Sequence, residues 1–310
     1  MSQFSGQESP DVQGSWFDAF WRFSRPHTII GTSLSVLALY LIAVAVGNGN
    51  YSLFSFLGGW IACLCGNVYI VGLNQLEDVE IDKINKPHLP LASGEFSQRQ
   101  GQIIVAITGI LALVVALLTG PFLFGMVAIS LAIGSAYSLP PIRLKRFPFW
   151  AALCIFSVRG TIVNLGLFLH FSGLPLENPA VPPTVWVLMV FILVFTFAIA
   201  IFKDIPDMEG DLRYNITTFT IQLGAQAVFN LALWVLTLCY LGMILVGVLH
   251  LAAVNPLFLV ISHLVALIWM WLQSWAVDLQ DKNAIANFYQ FIWKLFFVEY
   301  LIFPIACLLA

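Results

Sequence analysis

The chain has 310 residues, of which 60% are hydrophobic and only 9% charged, against about 25% charged in an ordinary soluble domain. With 13 Lys and Arg against 16 Asp and Glu, a net charge of −3 and a mean hydropathy of +0.92, it lacks the polar groups to cover a water-facing surface. A soluble enzyme and a nucleic-acid-binding protein are both excluded. The expectation is an all-α, polytopic bundle with the lipid bilayer as its outer solvent.

In chain order, residues 1–22 read as a flexible polar segment and 23–310 as one membrane domain. The segment has no basic stretch followed by an apolar one and a single Arg, so neither a secretory signal nor a transit peptide is expected, and a bacterial source fits. Arg22, Arg25 and His27 stand where the first span begins and are candidates to face a substrate. A bilayer core about 30 Å thick needs about 20 apolar residues per helix. The first two such stretches are 28–46 and 53–75, and the second runs into Asn74-Gln-Leu-Glu-Asp78-Val-Glu-Ile-Asp82, followed by Lys83 and Lys86. On one continuous helix, Asn74, Asp78 and Asp82 fall within an arc of about 80°. Spans 102–119 and 121–138 are divided only by Thr119-Gly120-Pro121, a turn signal; one helix over both would run about 54 Å, too long for a bilayer. They lead into Tyr137-Ser-Leu-Pro-Pro-Ile-Arg143-Leu-Lys145-Arg146.

Span 149–170 carries Arg159, with Asn164 a little over one turn further in. An Arg this deep is costly and marks a functional position. It either pairs with Glu299 or offers its guanidinium, helped by Asn164, to an anionic ligand. Span 184–203 ends in Lys203-Asp204-Ile-Pro-Asp207-Met-Glu-Gly-Asp211, where Asp204, Asp207 and Asp211 fall within about 60° of one helical face. Glu77, Glu80 and Glu209 fall off both arcs. Spans 226–249, 255–277 and 287–309 bring the count to nine. The five cysteines all lie in apolar runs and show no CxxC spacing, so neither a disulfide framework nor a thiolate metal site is expected.

The basic residues fix the expected orientation. Ten of them occupy one set of loops, whereas the loops near 47–52, 119–121, 170–183 and 249–256 contain no Lys or Arg and only Glu177 as a charge. The basic face is therefore expected to be cytoplasmic, with the N-terminus inside. Both acidic triplets lie on that face. Facing one another, they would repel unless a cation sat between them. An all-oxygen donor set suits Mg²⁺, which commonly shares its shell with phosphate oxygens. Lys86, Lys203, Arg143, Lys145 and Arg146 are candidates for the oxygens that a metal leaves free. The pattern reads as a metal–diphosphate site at the membrane surface. Single carboxylates often do no more than solvate helix ends, but two phased triplets on one face exceed that need. A cation transporter would hold its ligands near the midplane instead.

These residues resemble those of the UbiA-type intramembrane aromatic prenyltransferases. Asn74-x3-Asp78-x3-Asp82 matches the first signature of that family, and Asp204-x2-Asp207-x3-Asp211 lies where its second aspartate motif falls. The longer stretches NQLEDVEIDKINKPHLPLASGE and FKDIPDMEGD, and the run around Arg159, are similar to the cyanobacterial-type members that prenylate homogentisate. The resemblance implies nine helices around a central cavity with a cytoplasmic cap, and phytyl diphosphate and homogentisate as substrates, in an inner or thylakoid membrane. Read from the residues themselves, Asp78, Asp82, Asp204, Asp207 and Asp211, with Asn74, are expected to carry catalysis as the Mg²⁺ and diphosphate ligands, Tyr137 to orient a phenol or shield a cation, and Arg159 with Asn164 to take the acid's carboxylate. A related donor (solanesyl or geranylgeranyl diphosphate) or a chlorophyllide acceptor is the nearest alternative, and a small transporter a more distant one.

Overall fold

Proline and small polar residues set where the helices begin. The computed structural model describes residues 15–46, 52–175 and 180–310. Helix α1 (Trp16–Phe23) is capped by Ser15, α2 (Pro26–Ala45) starts on proline, and α3 (Leu53–Glu77) is capped by Ser52. Two short helices follow, α4 (Val79–Asn85) and α5 (Pro90–Ser93). Ser97 and Gln100 form a reciprocal capping box on α6 (Gln98–Thr119), and α7 (Pro121–Ser138) starts on proline. Proline at the first helical position loses nothing, because its missing N–H would have no partner there. Next come α8 (Pro148–Phe156), a π-helical turn (Ser157–Ile162) and α9 (Val163–Ser172), which together make one crossing. The chain ends with α10 (Pro183–Phe202), α11 (Asp204–Arg213), α12 (Phe219–Leu223), α13 (Ala225–Val248), α14 (Pro256–Ser274) and α15 (Lys282–Leu308).

Among the described residues every regular element is helical, and nine crossings are long and apolar enough to span a bilayer. They agree with the stretches read from the sequence, including the separation of α6 from α7 at Gly120. The crossings form a ring that closes where α15 packs on α2. Outward stripes such as Ile103, Ile107, Ile110, Val114 and Leu118 on α6 are exposed, and lipid is the solvent that makes them stable there. Inside the ring lies a cavity of about 630 Å³. The short helices α1, α4, α5, α11 and α12 gather at its charged end.

One expectation changes at the chain start, and one of two alternatives closes in mid-membrane. The break expected at residue 22 falls inside α1, while residues 1–14 lie outside the described residues, as do most of the loop 47–52 and Glu177. Helix α1 is ordered because Phe23 fills the space left by Gly72, Gln75 Nε2 donates to the Phe23 carbonyl at 2.7 Å, and Arg22 pairs with Glu95. Arg159 does not pair with Glu299. Glu299 instead lies 3.0 Å from His263 Nε2, a contact not aligned as a hydrogen bond, and both side chains are fully buried between α14 and α15.

Candidate active site

The first acidic motif does not lie on one helix. Helix α3 stops at Glu77, Asp78 leaves helical geometry (φ −116°, ψ 16°), and α4 restarts at Val79. The single-helix arc expected for Asn74, Asp78 and Asp82 is therefore corrected. The three residues still meet at the cavity because the bend folds α4 across its mouth. The second motif behaves as its spacing predicts: Asp204, Asp207 and Asp211 share α11 and all line the cavity. Glu77, Glu80 and Glu209 stay off it; Glu80 and Glu209 make exposed pairs with Lys83 and Lys282.

Helices α4 and α11 pack against each other, and two residues hold them there. Asn85 Oδ1 accepts the Gly210 N–H at 2.9 Å, and Lys86 bridges to Asp207. A methyl group at Gly210 would lie 2.5 Å from Asn85 Oδ1. Sequence reasoning missed Asn85 and Gly210. The available signals were a glycine inside a ten-residue acidic helix, where it weakens the helix unless something approaches closely, and an asparagine three residues after Asp82. Gly210→Ala should force the two acidic helices apart and lower turnover about tenfold. Adding Asn85→Ala should recover part of the loss in the same assay, because the truncated side chain makes room again.

Each motif carries its own cations. Lys145 Nζ lies 2.6 Å from Asp78 Oδ2, Arg143 Nη2 3.1 Å from Asp78 Oδ1, and Lys203 Nζ 2.5 Å from Asp204 Oδ1. Asn74 Nδ2 donates to Asp78 at 2.9 Å, and Arg25 Nη2 donates to Asn74 Oδ1 at 3.3 Å. Arg25 and Arg143 both hold left-handed backbone, with φ of 54° and 40°, at a cost of about 1–2 kcal/mol each. Burial lowers the Lys145 pKa, and Asp78 opposes that shift. Asp82 and Asp211 have no ion-pair partner among the described residues. Burial pushes Asp82 up to about 6 against the pull of Arg25 and Lys86, and Asp211 up to about 7 against Lys203.

Unspent ligand capacity therefore remains at this mouth. Asp82 is 5% exposed, and its Oδ2 has no hydrogen-bond partner. With five carboxylates and one amide, the donor chemistry fits a hard divalent cation. Among the described residues no three carboxylates converge into a ready-made cage; Asp78, Asp204 and Asp207 are turned to lysines and an arginine instead.

The remaining candidates divide. Arg22, at the rim, donates to Glu95 and to the His88 carbonyl. Tyr137 and His27 line the cavity, the latter with its ring 4.8 Å from that of Trp293. Arg146 is exposed and off the cavity, in contrast to its expected place at a diphosphate; the 3-10 turn over Leu144–Arg146 turns Lys145 inward and Arg146 outward.

Arg159 lines the cavity from the π-helical turn, with its guanidinium carbon 5.2 Å from the Trp293 ring centre and 5.6 Å from that of Phe296. Asn164 is not a cavity residue. Its Nδ2 donates to the carbonyls of Arg159 (2.8 Å) and Gly160 (2.9 Å), while its Oδ1 accepts from Tyr300. It ties down carbonyls at the wide turn, so its expected ligand contact becomes a brace for Arg159. Gly160 permits the turn, since a methyl group there would lie 2.4 Å from the Leu193 Cα. Trp293 Nε1, also buried at the cavity, has no partner. The aromatic neighbours of Arg159 come from α15, within the stretch Phe288-Tyr-Gln-Phe-Ile-Trp-Lys294-Leu-Phe-Phe, which resembles the same family but whose spacing does not by itself place it beside Arg159.

A membrane bundle whose cavity joins an acidic, lysine-rich mouth to an arginine among aromatic rings is built to handle an anionic head and an apolar tail together. The UbiA prenyltransferase family matches residues 34–295, and the chain belongs to that family. It is 57% identical to the homogentisate phytyltransferase of Synechocystis sp. over 93% of this chain and 95% of that protein. It is 42% identical to homogentisate phytyltransferase 1 of Arabidopsis thaliana over 93% of this chain and 75% of that one. Among solved structures, a UbiA homologue from Archaeoglobus fulgidus bound to GPP and Mg²⁺ superposes with a TM-score of 0.63 at 18% identity, covering 94% of this chain and all of that one.

Proposed function

We propose that the protein transfers the phytyl group of phytyl diphosphate to homogentisate, releasing diphosphate and CO₂ and leaving a methyl-phytyl-benzoquinol. The observation that carries this reading is the continuity of one cavity from the six acidic and amide ligands to Arg159. The high identity to a homogentisate phytyltransferase across both chains supports the choice of donor and acceptor. The basic face is cytoplasmic in this reading, by the positive-inside bias.

Asn74, Asp78, Asp82, Asp204, Asp207 and Asp211 are the residues that would hold Mg²⁺. When bound, the metal neutralises charge that builds on the leaving diphosphate. Lys86, Lys145, Lys203 and Arg143, now on the aspartates, take phosphate oxygens as charge-assisted donors. The allylic C–O bond then ionises beside these fixed charges, which stabilise the leaving group without having to reorganise. Tyr289 and Trp293 present ring faces that stabilise a cation. Arg159 and Trp293 Nε1 hold the carboxylate of the aromatic acid.

The test is incubation of protein-containing membranes with homogentisate and a panel of prenyl diphosphates. The expected product has the mass of the decarboxylated phytyl quinol and disappears with EDTA. Preference for a geranylgeranyl or solanesyl donor, or for chlorophyllide, would replace the substrate assignment. Diphosphate release no faster than in empty membranes would favour a transporter.

Metal dependence should also carry a pH signature. A carboxylate binds metal only when ionised, and burial pushes Asp82 up to about 6 and Asp211 up to about 7. The Mg²⁺ concentration for half-maximal rate should therefore rise as pH falls from 8 through 6. Mg²⁺ titrations at three pH values would show this, and curves that superpose would remove both residues from the metal site.

A further inference from the structure

Two fully enclosed serine and threonine hydroxyls in the cavity wall have no partner in the protein. Thr196 Oγ1 on α10 and Ser130 Oγ on α7 are buried, at 0% and 8% exposure, line the cavity, and make no hydrogen bond. The other helical hydroxyls of this chain show how easily such a group is satisfied. Thr108, Thr119, Thr237, Ser135 and Ser262 each donate to the carbonyl four residues back, the usual arrangement for a hydroxyl inside a helix. Ser138 and Thr220 are also without partners, but they do not line the cavity. A buried hydroxyl on a residue that borders a cavity, with no local bond, is costly unless a molecule filling the cavity reaches it.

Depth says what that something is. Thr196 and Ser130 each lie two helical turns, about 10 Å, inside residues of the charged mouth, Lys203 and Tyr137. Arg159 lies three turns, about 16 Å, inside the start of α8. Both α7 and α10 pack against the π-helical turn that carries Arg159. The wall thus presents, from the mouth inward, carboxylates and lysines, then two free hydroxyls, then a guanidinium. An apolar prenyl chain at the middle level would leave both hydroxyls unpaired. A phenolic ring there would satisfy them.

We propose that Thr196 and Ser130 bind the ring hydroxyls of the acceptor and select a dihydroxylated aromatic acid over its unhydroxylated analogue. This rests on the reading of Arg159 as the carboxylate site. The acceptor then spans one wall, with its acid group on Arg159 and its ring beneath the diphosphate, where the allylic carbon of the donor lies. Thr196 and Ser130 are positioning residues for the ring and take no proton in the reaction.

The test compares Thr196→Val, nearly the same shape without the hydroxyl, with Thr196→Ser, which retains it, and with Ser130→Ala. Steady-state kinetics give KM for homogentisate and for phytyl diphosphate, and inhibition gives Ki for phenylacetate, which has the carboxylate but no ring hydroxyl. Thr196→Val and Ser130→Ala should each raise the homogentisate KM about tenfold, leave the donor KM and the phenylacetate Ki unchanged, and so erode the preference for the hydroxylated acid. Thr196→Ser should stay near wild type. A homogentisate KM within about twofold of wild type in both hydroxyl-free variants would overturn the proposal. So would a phenylacetate Ki that rises in parallel, the mark of a purely structural role. If the unmodified protein makes no product from homogentisate, the underlying functional reading fails instead, and the wild-type control reports that separately.

Discussion

Asp78→Asn is expected to lower turnover about a thousandfold while the protein still inserts and folds. Asp78 is where the first acidic motif, the bend between α3 and α4, two cations and an amide meet: Lys145 at 2.6 Å, Arg143 at 3.1 Å and Asn74 Nδ2 at 2.9 Å. An amide keeps the size and some hydrogen bonds but removes the charge. Lys145, 6% exposed, then sits beside a neutral group, and the mouth has one fewer anionic ligand for a metal. Breaking a partly buried ion pair by removing one partner costs up to about 3 kcal/mol, so a lower Tm is expected alongside the lost activity. Product mass spectrometry on membranes with equal protein content measures the first effect, and thermal unfolding in detergent the second. Turnover at the wild-type rate would remove Asp78 from the reacting site.

Arg159→Met is expected to separate stability from activity. Among the described residues no carboxylate pairs with Arg159; it rests on the Trp293 and Phe296 rings inside the membrane. A half-buried charge inside the membrane without a partner is expensive, so an apolar side chain of similar length should leave Tm unchanged or raise it. The same substitution removes the fork that holds the acceptor's carboxylate. Loss of such a charge-assisted pair is worth about 3 kcal/mol, or about a hundredfold. The homogentisate KM should rise by that factor, with the phytyl diphosphate KM nearly constant. Arg159→Lys should fall between, because a point charge neither forks nor stacks as a guanidinium does. A normal homogentisate KM in Arg159→Met would place the carboxylate elsewhere.

The two acidic motifs were legible for different reasons. Asp204, Asp207 and Asp211 are close in sequence and lie on one unbroken helix, so helical periodicity alone placed them on one face. Asn74, Asp78 and Asp82 were grouped correctly by the same rule although the helix breaks at Asp78. The bend keeps the three together because α4 docks onto α11 through Asn85 and Gly210. Arg146 was misplaced because its charge equals that of Lys145 and only the turn separates their directions. Asn164 was misread for a related reason: its proximity to Arg159 was correct, but the π-helical turn that calls on its amide comes from packing against Leu193 on α10.

The sequence by itself determined the solvent, the number of crossings, the basic face and the family, because these follow from composition and from periods of a few residues. A scarcity of charge forces a chain into lipid, and each crossing must satisfy its own backbone there. The tertiary structure alone decided which aspartates hold a cation and which do not, which hydroxyls are left free, and that Glu299 lies against His263 instead of Arg159. Those choices depend on side chains from helices far apart in the chain reaching one cavity, and no local pattern encodes such a meeting.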